Sequence, residues 1–404
     1  MEKRAMKLVF LIADGMGDWP IDSLGGRTPL EAAPTPAMDE LSRRAVLGLA
    51  RTVPEGMAPG SDVANMALMG FDPAAFHTGR GPIEAAAQGL TLGADDVVWR
   101  MNLVTVSALA PGGIMRDYSS GHIATEAATA LIRDLAETLR PEGFRLVPGI
   151  QYRHLLIEPG AAGKPGRDIL VRPPHDITDQ VIDEDLAAFK RHPALERLIK
   201  DAAARLAANP ENRTKASAVW PWGQGRRLSL PDFRETFGLK GAVISAVDLV
   251  RGLGRAAGME VIEVPGVTGL LDTNYEGKVA AALDFLERGD FVFVHLEGPD
   301  ECGHGGHTAD KIEAIARFDA RVVAPMVAGL TGIEAAVVVT CDHLTPIAIR
   351  THHPDPVPFL LSWPGAPETP GRTGFSEAEA ARAGLVVEPG HSLLPWMLKT
   401  IGRR

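Results

Sequence analysis

The sequence predicts an α/β protein, with a doubly wound sheet and an inserted α+β cap domain. Three observations predict it. Short apolar runs at Leu8 to Ala13, Phe291 to Val294 and Ala335 to Thr340 each break off at turn residues, as strands buried on both faces do. Helix-like stretches alternate with such runs towards both ends of the chain. Between about Gly89 and Arg227 the character changes to other strand-like segments with helices between them. A chain of 404 residues has room for two domains, each with its own core.

The elements follow in order. The first strand ends on Asp14-Gly15-Met16-Gly17, and a helix-like run covers Pro36 to Ala45. The loop Pro54 to Ser61 opens into a helix-like run from Asp62 to Met69. Ser61 therefore sits near a helix N-terminus, where free N–H groups and the positive dipole end favour a phosphate. Val97 to Val106, Phe144 to Val147 and His154 to Glu158 read as strands, and Ala124 to Leu139 as a helix. Asp183 to Ala208 reads as a helix pair broken near Pro193, closed by Pro210 and Asn212. After Gly241 the alternation resumes with a strand at Val243-Ile244, a helix over Val247 to Ala257, a strand at Glu260 to Ile262 and an amphipathic helix over Gly277 to Arg288. The expected division is a discontinuous metal-bearing domain, residues 1–85 and 237–404, with residues 86–236 inserted.

Composition narrows the function. Apolar content of 45% and charged content of 23% are ordinary for a soluble globular protein. No segment approaches the ~20 apolar residues of a membrane span. Lys3, Arg4 and Lys7 precede the first apolar run, but Asp14 cuts it short, so it does not read as a signal peptide. A net charge of −10 argues against nucleic acid as the main partner. An anionic small substrate stays open, because bound ions and local arginines reverse the field inside a cleft. Two cysteines, Cys302 and Cys341, make neither a disulfide framework nor a CxxC motif, and a reducing cytoplasm is the simple expectation.

The chemistry lies where the strands end. Open α/β sheets put their sites along the carboxyl edge. Asp14, Asp300 and Asp342-His343 come from three separated regions and reach that edge. Asp300 and His304 are four apart, so on a helix they face one way and can share an ion. Adjacent Asp342 and His343 need a turn to converge. Carboxylate with imidazole suits Zn²⁺ or Mn²⁺, whereas Mg²⁺ prefers oxygen alone. Taken singly, each pair has a plain reading as surface or turn residues; together at corresponding strand ends they point to a metal centre. A Gly-Ser such as Gly60-Ser61 is usually only a turn, but a serine on a metal ion is an activated nucleophile that needs no histidine base. His307 reads as a supporting group or a solvated loop residue. Of His352 and His353, one is expected to bind a metal. Cys302 and Cys341 read as small buried residues, and Trp220-Pro221-Trp222 as packing.

The sequence resembles the archaeal-type, cofactor-independent phosphoglycerate mutases, a branch of the alkaline phosphatase superfamily. The resemblance covers nearly the whole chain. It is carried by Ile12 to Asp18, Pro59 to Asn65, Thr78 to Ala85, Gly121-His122-Ile123, Tyr152-Arg153-His154, Pro174 to Ile177, Ile244 to Leu249, Asp272 to Tyr275 and Asp355 to Pro358. It implies an alkaline-phosphatase-like sheet and two divalent ions, Mn²⁺ foremost, with Mg²⁺, Co²⁺ or Zn²⁺ as alternatives. Asp14, Ser61, Asp342 and His343 would hold one ion, and Asp300, His304 and His352 the other. Ser61 would carry the phosphoryl group between 3-phosphoglycerate and 2-phosphoglycerate, and His122 and Arg153 would contact the glycerate. The chain departs from the family pattern twice. Thr351-His352-His353 leaves the ligand open to a slip of one residue, and in Trp222-Gly223-Gln224-Gly225-Arg226-Arg227 the phosphate-binding arginine is Arg226, or else Arg227, or is absent. A phosphatase or another phosphotransferase, such as a homoserine kinase-like enzyme, is the alternative on the same scaffold.

Overall fold

A computed structural model describes residues 6–403. Lys3 and Arg4 of the leader reading lie outside them. The chain forms two compact units: one takes the chain up to His77 and everything from Ser229, the other is Thr78–Leu228. These boundaries fall earlier than the expected 85/86 and 236/237, for a packing reason. Helix Arg80–Ala87 lies against strands of the inserted unit, where a Cβ on Gly81 would come within 2.5 Å of the Val98 carbonyl oxygen. Phe233 instead packs on Phe291 and Phe71 of the first unit. No helix among the described residues is long and apolar enough to cross a membrane.

In chain order the strands are β1 Lys7–Ala13 and β2 Val46–Ala50, then in the inserted unit β3 Val97–Val106, β4 Met115–Asp117, β5 Arg145–Val147, β6 Arg153–Glu158 and β7 Ala218–Arg226. The first unit resumes with β8 Gly241–Ile244, β9 Glu260–Val261, β10 Phe291–Leu296, β11 Ala335–Thr340, β12 Val357–Ser362 and β13 Val386–Val387. Its eight strands run in the order β13-β2-β12-β11-β1-β10-β8-β9. β1 is central, parallel to both β10 and β11, and the crossovers between these strands are long enough to hold helices. All three are almost wholly buried. β12 is antiparallel to β11 and to β2. Sequence reading missed it, because Pro358 within the run argues against a strand in the middle of a sheet.

The inserted unit is antiparallel around β3, which pairs with β4, β6 and β7. Trp99, Met101, Leu103 and Trp220 of its strands share a core with Leu131, Ile132 and Leu135 of helix Thr125–Leu139 and with Phe189 and Leu195 of the broken helix pair. Trp220 and Trp222 are buried packing residues, as read. Their ring N–H groups donate to the Arg172 carbonyl oxygen and to Asn102 Oδ1, both at 3.1 Å.

Candidate metal centre

The parallel strands β1, β10 and β11 end together, and the placement of Asp14, Asp300, His304, Asp342 and His343 follows from that. Asp14 comes directly after β1, its N–H bonded to the Leu296 carbonyl at the end of β10 at 2.8 Å. Asp300 and His304 lie on helix Gly298–Gly305, and their side chains meet at 3.3 Å. Asp342 and His343 follow β11. Gly15 makes this convergence possible. Its φ is +59°, and a Cβ there would lie 2.5 Å from Thr345 Oγ1 and 2.6 Å from Asp300 Oδ1, so only glycine fits. Ser61 is the first residue of helix Ser61–Leu68, capped by Gly60.

The ligand atoms draw into one nest. Asp300, His304 and His352 offer atoms all within 4.8 Å of one another, as do Asp14, Asp300 and His343, and Asp14, His295 and Asp342. His352 Nε2 is 2.9 Å from His304 Nε2 and 3.6 Å from Asp300 Oδ1. His353 turns away, its Nδ1 3.3 Å from Asp355 and its ring edge-on to Trp19. His343 Nε2 is 3.2 Å from Ser61 Oγ, 3.6 Å from Asp14 Oδ1 and 3.5 Å from Asp342 Oδ2. The Thr345 hydroxyl donates to Asp300 Oδ1 and so accepts from His343 Nδ1–H at 3.3 Å. That fixes the tautomer and leaves the lone pair of His343 on Nε2, facing Ser61. His307 is solvated beside Asp310. Cys302 and Cys341 are buried thiols.

Burial and crowded charge govern the titrations. Burial, with Asp342 and Asp300 close by, raises the Asp14 carboxyl well above the usual range. Burial also opposes ionisation of Asp342, but His343 and His295 outweigh it and hold that carboxyl below its ordinary value. Desolvation pushes His343 down to about 4, so its imidazole is neutral at physiological pH. Burial opposes a charged His304 as well, yet the hydrogen bond to Asp300 raises it to about 9.

The donor set fits divalent cations. Three buried carboxylates and four imidazoles crowd together, with opposing ring nitrogens and with Asp14 Oδ1 buried and without a hydrogen-bond partner among the described residues. A cation relieves all three conditions at once. Mixed carboxylate and imidazole ligation suits transition ions better than Mg²⁺.

Several supporting groups escaped sequence reading. Asn65 Nδ2 donates to Asp342 Oδ2 at 2.8 Å, and the Thr52 hydroxyl donates to the Asp342 carbonyl at 2.6 Å. Lys311 is buried and ties the turn after β1 to the turn after β11, donating to the Gly17 carbonyl at 3.2 Å and the Thr345 carbonyl at 2.8 Å. His295 and Glu297 stand behind Asp14. The signal available for them was a histidine and a glutamate closing an otherwise apolar run.

In the inserted unit, His122 and Arg153 come together around Tyr152. The His122 ring lies 6.4 Å from the Tyr152 ring, and the Arg153 guanidinium 5.7 Å from it. Arg153 Nε is buried without a hydrogen-bond partner among the described residues. Arg226 is not with them. It pairs with Val97 at one end of β3, whereas Arg153 pairs with Asn102, five residues along, a separation of roughly 17 Å at strand rise. Trp222 is faced by Arg80 and Arg100 instead, at 5.7 and 4.8 Å from its ring. Arg100, ion-paired to Glu84 at 3.0 Å, was legible as a lone charge inside an apolar strand.

Comparison with known proteins agrees with this picture. Residues 42–212 match the model of the 2,3-bisphosphoglycerate-independent phosphoglycerate mutase family. A probable 2,3-bisphosphoglycerate-independent phosphoglycerate mutase of Geobacter sulfurreducens is 46% identical over 97% of this chain and 100% of its own length. The corresponding mutase of Methanosarcina acetivorans is 44% identical over 98% of this chain and 100% of its own. Among solved structures, a protein from Pyrococcus horikoshii is 29% identical with a TM-score of 0.81, covering 99% of this chain and 98% of that one. A cofactor-independent phosphoglycerate mutase from Thermoplasma acidophilum shares the fold, with a TM-score of 0.64 at 23% identity, covering 98% of this chain and 100% of that one. Full-length identity at this level, on a chain whose strand ends gather the Asp and His residues expected of such a centre, means that the chain belongs to the archaeal-type 2,3-bisphosphoglycerate-independent phosphoglycerate mutase family.

Proposed function

We propose that this phosphoglycerate mutase interconverts 3-phosphoglycerate and 2-phosphoglycerate through a phosphoserine on Ser61. The observation that carries the reading is the place of Ser61: first residue of a helix, its oxygen 3.2 Å from the lone-pair nitrogen of His343, beside the Asp14, Asp300 and Asp342 carboxylates. Two divalent ions, Mn²⁺ foremost, would be held by Asp14, Ser61, Asp342 and His343 and by Asp300, His304 and His352; bound there, they would neutralise phosphoryl charge and acidify the serine hydroxyl.

Ser61 Oγ attacks phosphorus in line, the bond from phosphorus to O3 of the glycerate breaks, and O3 leaves as a hydroxyl with the proton that Ser61 gives up. The N–H groups at the start of helix Ser61–Leu68 favour the phosphoserine charge. Glycerate then turns, its 2-hydroxyl oxygen attacks phosphorus, the bond from phosphorus to Ser61 Oγ breaks, and the hydroxyl proton returns to Oγ. Arg153 and His122 of the inserted unit hold the carboxylate and hydroxyl end of the glycerate while it turns. Arg226 has no part in this reading. Glycerate must stay and water must stay out, or the phosphoserine hydrolyses and the enzyme becomes a phosphatase.

Formation of 2-phosphoglycerate and release of inorganic phosphate, measured side by side from 3-phosphoglycerate with Mn²⁺, Mg²⁺, Co²⁺ or Zn²⁺ added separately, test the proposal. Conversion with little free phosphate is expected. Free phosphate as the main product would point to a phosphatase.

A further inference from the structure

We propose that His295 is a positioning residue of the metal centre: held from behind by Glu297, it fixes Asp14 by one carboxylate oxygen so that the other is presented to an ion. The inference rests on the two-ion reading above.

His295 lies on β10, paired with Ile12 of β1, so its side chain starts beside the strand that ends on Asp14. It is fully buried. Its Nδ1 is 3.2 Å from Glu297 Oε1 and 3.3 Å from Ser245 Oγ. Glu297 is in turn surrounded by donors: the Ser245 hydroxyl at 2.9 Å, the Ala246 N–H at 3.0 Å and the Lys278 ammonium at 3.2 Å. Lys278 also donates to the His295 carbonyl at 2.7 Å, which locks the backbone under the ring. A carboxylate with that many donors is an anion that accepts from Nδ1–H. The ring therefore has one orientation, set by side chains that are not themselves ligands.

In that orientation the far nitrogen points into the centre. Nε2 is 3.4 Å from Asp14 Oδ2 and 3.9 Å from Asp342 Oδ2, and it has no hydrogen-bond partner among the described residues. Placed against Asp14 Oδ2, Nε2 can present an N–H to that oxygen when Asp14 is a metal-bound carboxylate. The two oxygens of Asp14 are then divided. Oδ2 belongs to His295, and Oδ1, buried and without a hydrogen-bond partner, faces His343 Nε2 at 3.6 Å. Asp342 is steadied likewise, with Oδ1 accepting from the backbone N–H groups of Gly15 at 3.1 Å and His343 at 2.9 Å. Ligand carboxylates fixed by outer partners commonly lose 10–100-fold in metal affinity when the partner is removed, and an effect on the order of that range is expected here.

Equilibrium titration of the metal-free full-length protein with Mn²⁺, together with thermal melts and steady-state kinetics, tests this. The unchanged protein should bind two ions; fewer than two would sink the two-ion reading itself and so be told apart from failure of the inference. His295→Phe keeps a ring of similar bulk and removes the donor. It should weaken one ion by about 10–100-fold, leave the other within a few-fold, and lower kcat more than it raises KM. His295→Gln, whose amide nitrogen reaches the position of Nε2, should restore most of that affinity. If the Phe variant does not fold, Glu297→Gln leaves the imidazole but loosens its alignment, and should weaken the same ion by several-fold. Unchanged affinity for both ions in the folded variant overturns the proposal. So does equal weakening of both ions with no rescue by Gln, which would mean general loss of packing. Three ions in the unchanged protein and two in the Phe variant would also overturn it, making His295 a ligand in its own right.

Discussion

Ser61 Oγ and His343 Nε2 stand 3.2 Å apart, and the nitrogen of that pair is the one left without a proton by the bond from His343 Nδ1 to Thr345. Two residues from distant parts of the sequence thus present an oxygen and a lone pair to one point. Ser61→Ala should lower mutase turnover by at least about a thousand-fold while leaving the thermal midpoint close to that of the unchanged protein, since a nucleophile is lost and packing is not. Incubation with substrate should label the serine of the unchanged protein by mass spectrometry and not the variant. Substantial residual activity in Ser61→Ala would remove Ser61 from the reaction.

The choice between His352 and His353 has a direct readout. His352 faces His304 at 2.9 Å, whereas His353 is 3.3 Å from Asp355. His352→Ala should bind about one ion fewer per chain by elemental analysis, and His353→Ala should keep both. The reverse pattern would mean that the ligand had slipped by one residue. A chelator should silence the unchanged enzyme, and added Mn²⁺ should restore it.

These contrasts show what the sequence carried. Asp14, Asp300 and Asp342 were legible because each follows the end of an apolar run within a few residues, and the parallel pairing of β1 with β10 and β11 fixes where those ends meet. The pair Asp300 and His304 was legible from helical spacing. Long-range supports were not. Asn65, Thr52 and Lys311 act across 277, 290 and 294 residues of chain, and no local pattern marks a side chain whose partner lies that far away. β12 was hidden by its proline. Arg226 illustrates a related point: a motif fixes residue type, but pairing register along β3 fixes which end of the sheet it occupies.

Glu377 supplies a pH dependence that owes nothing to the ions. Its carboxylate accepts from the Asp18 N–H at 3.1 Å and the Thr28 hydroxyl at 2.8 Å, yet burial dominates and pushes its pKa up to about 7, against 4.5 for a free glutamate. A folded-state pKa above the unfolded one means that the protonated form favours folding. This contribution is complete below the unfolded value and is lost as pH rises through the folded one. Glu377→Gln keeps an acceptor for Asp18 and turns a donor to Thr28, which can accept. The variant's melting temperature relative to the unchanged protein should therefore climb between about pH 5 and pH 8. A difference that stays flat across that window would show that Glu377 titrates normally.

Lys311 tests the scaffold under the ligand turns. Its buried ammonium is 2.8 Å from Asp18 Oδ2 and also holds the Gly17 and Thr345 carbonyls. Lys311→Met preserves length but leaves Asp18 buried without its counter-ion, a change worth on the order of 3–5 kcal/mol. Neutralising the partner should recover part of the loss, so Lys311→Met with Asp18→Asn should melt above Lys311→Met alone. Simple additivity of the two substitutions would argue that the pair does not act as a unit.

Arg153 offers a test of what the inserted unit does. Arg153 has a buried Nε without a partner among the described residues, and its guanidinium lies 5.7 Å from the Tyr152 ring that His122 also approaches. A guanidinium holds a carboxylate through two parallel hydrogen bonds, which an ammonium cannot reproduce. Arg153→Lys should therefore lower mutase kcat/KM by roughly ten-fold and Arg153→Ala by about a hundred-fold, the range expected for charged hydrogen bonds. The sharper expectation concerns the ratio of products. Once Ser61 has taken the phosphoryl group, a loosely held glycerate leaves before it can take it back, and water reaches the phosphoserine. Arg153 variants should then lose mutase activity faster than phosphate release, moving the ratio towards hydrolysis. Variants at Asp300 or His304 should lose both activities together, because both reactions begin with the same transfer to Ser61. Equal loss of the two activities in the Arg153 variants would mean that Arg153 does not retain glycerate, and would leave hydrolysis as the better account of what this centre does.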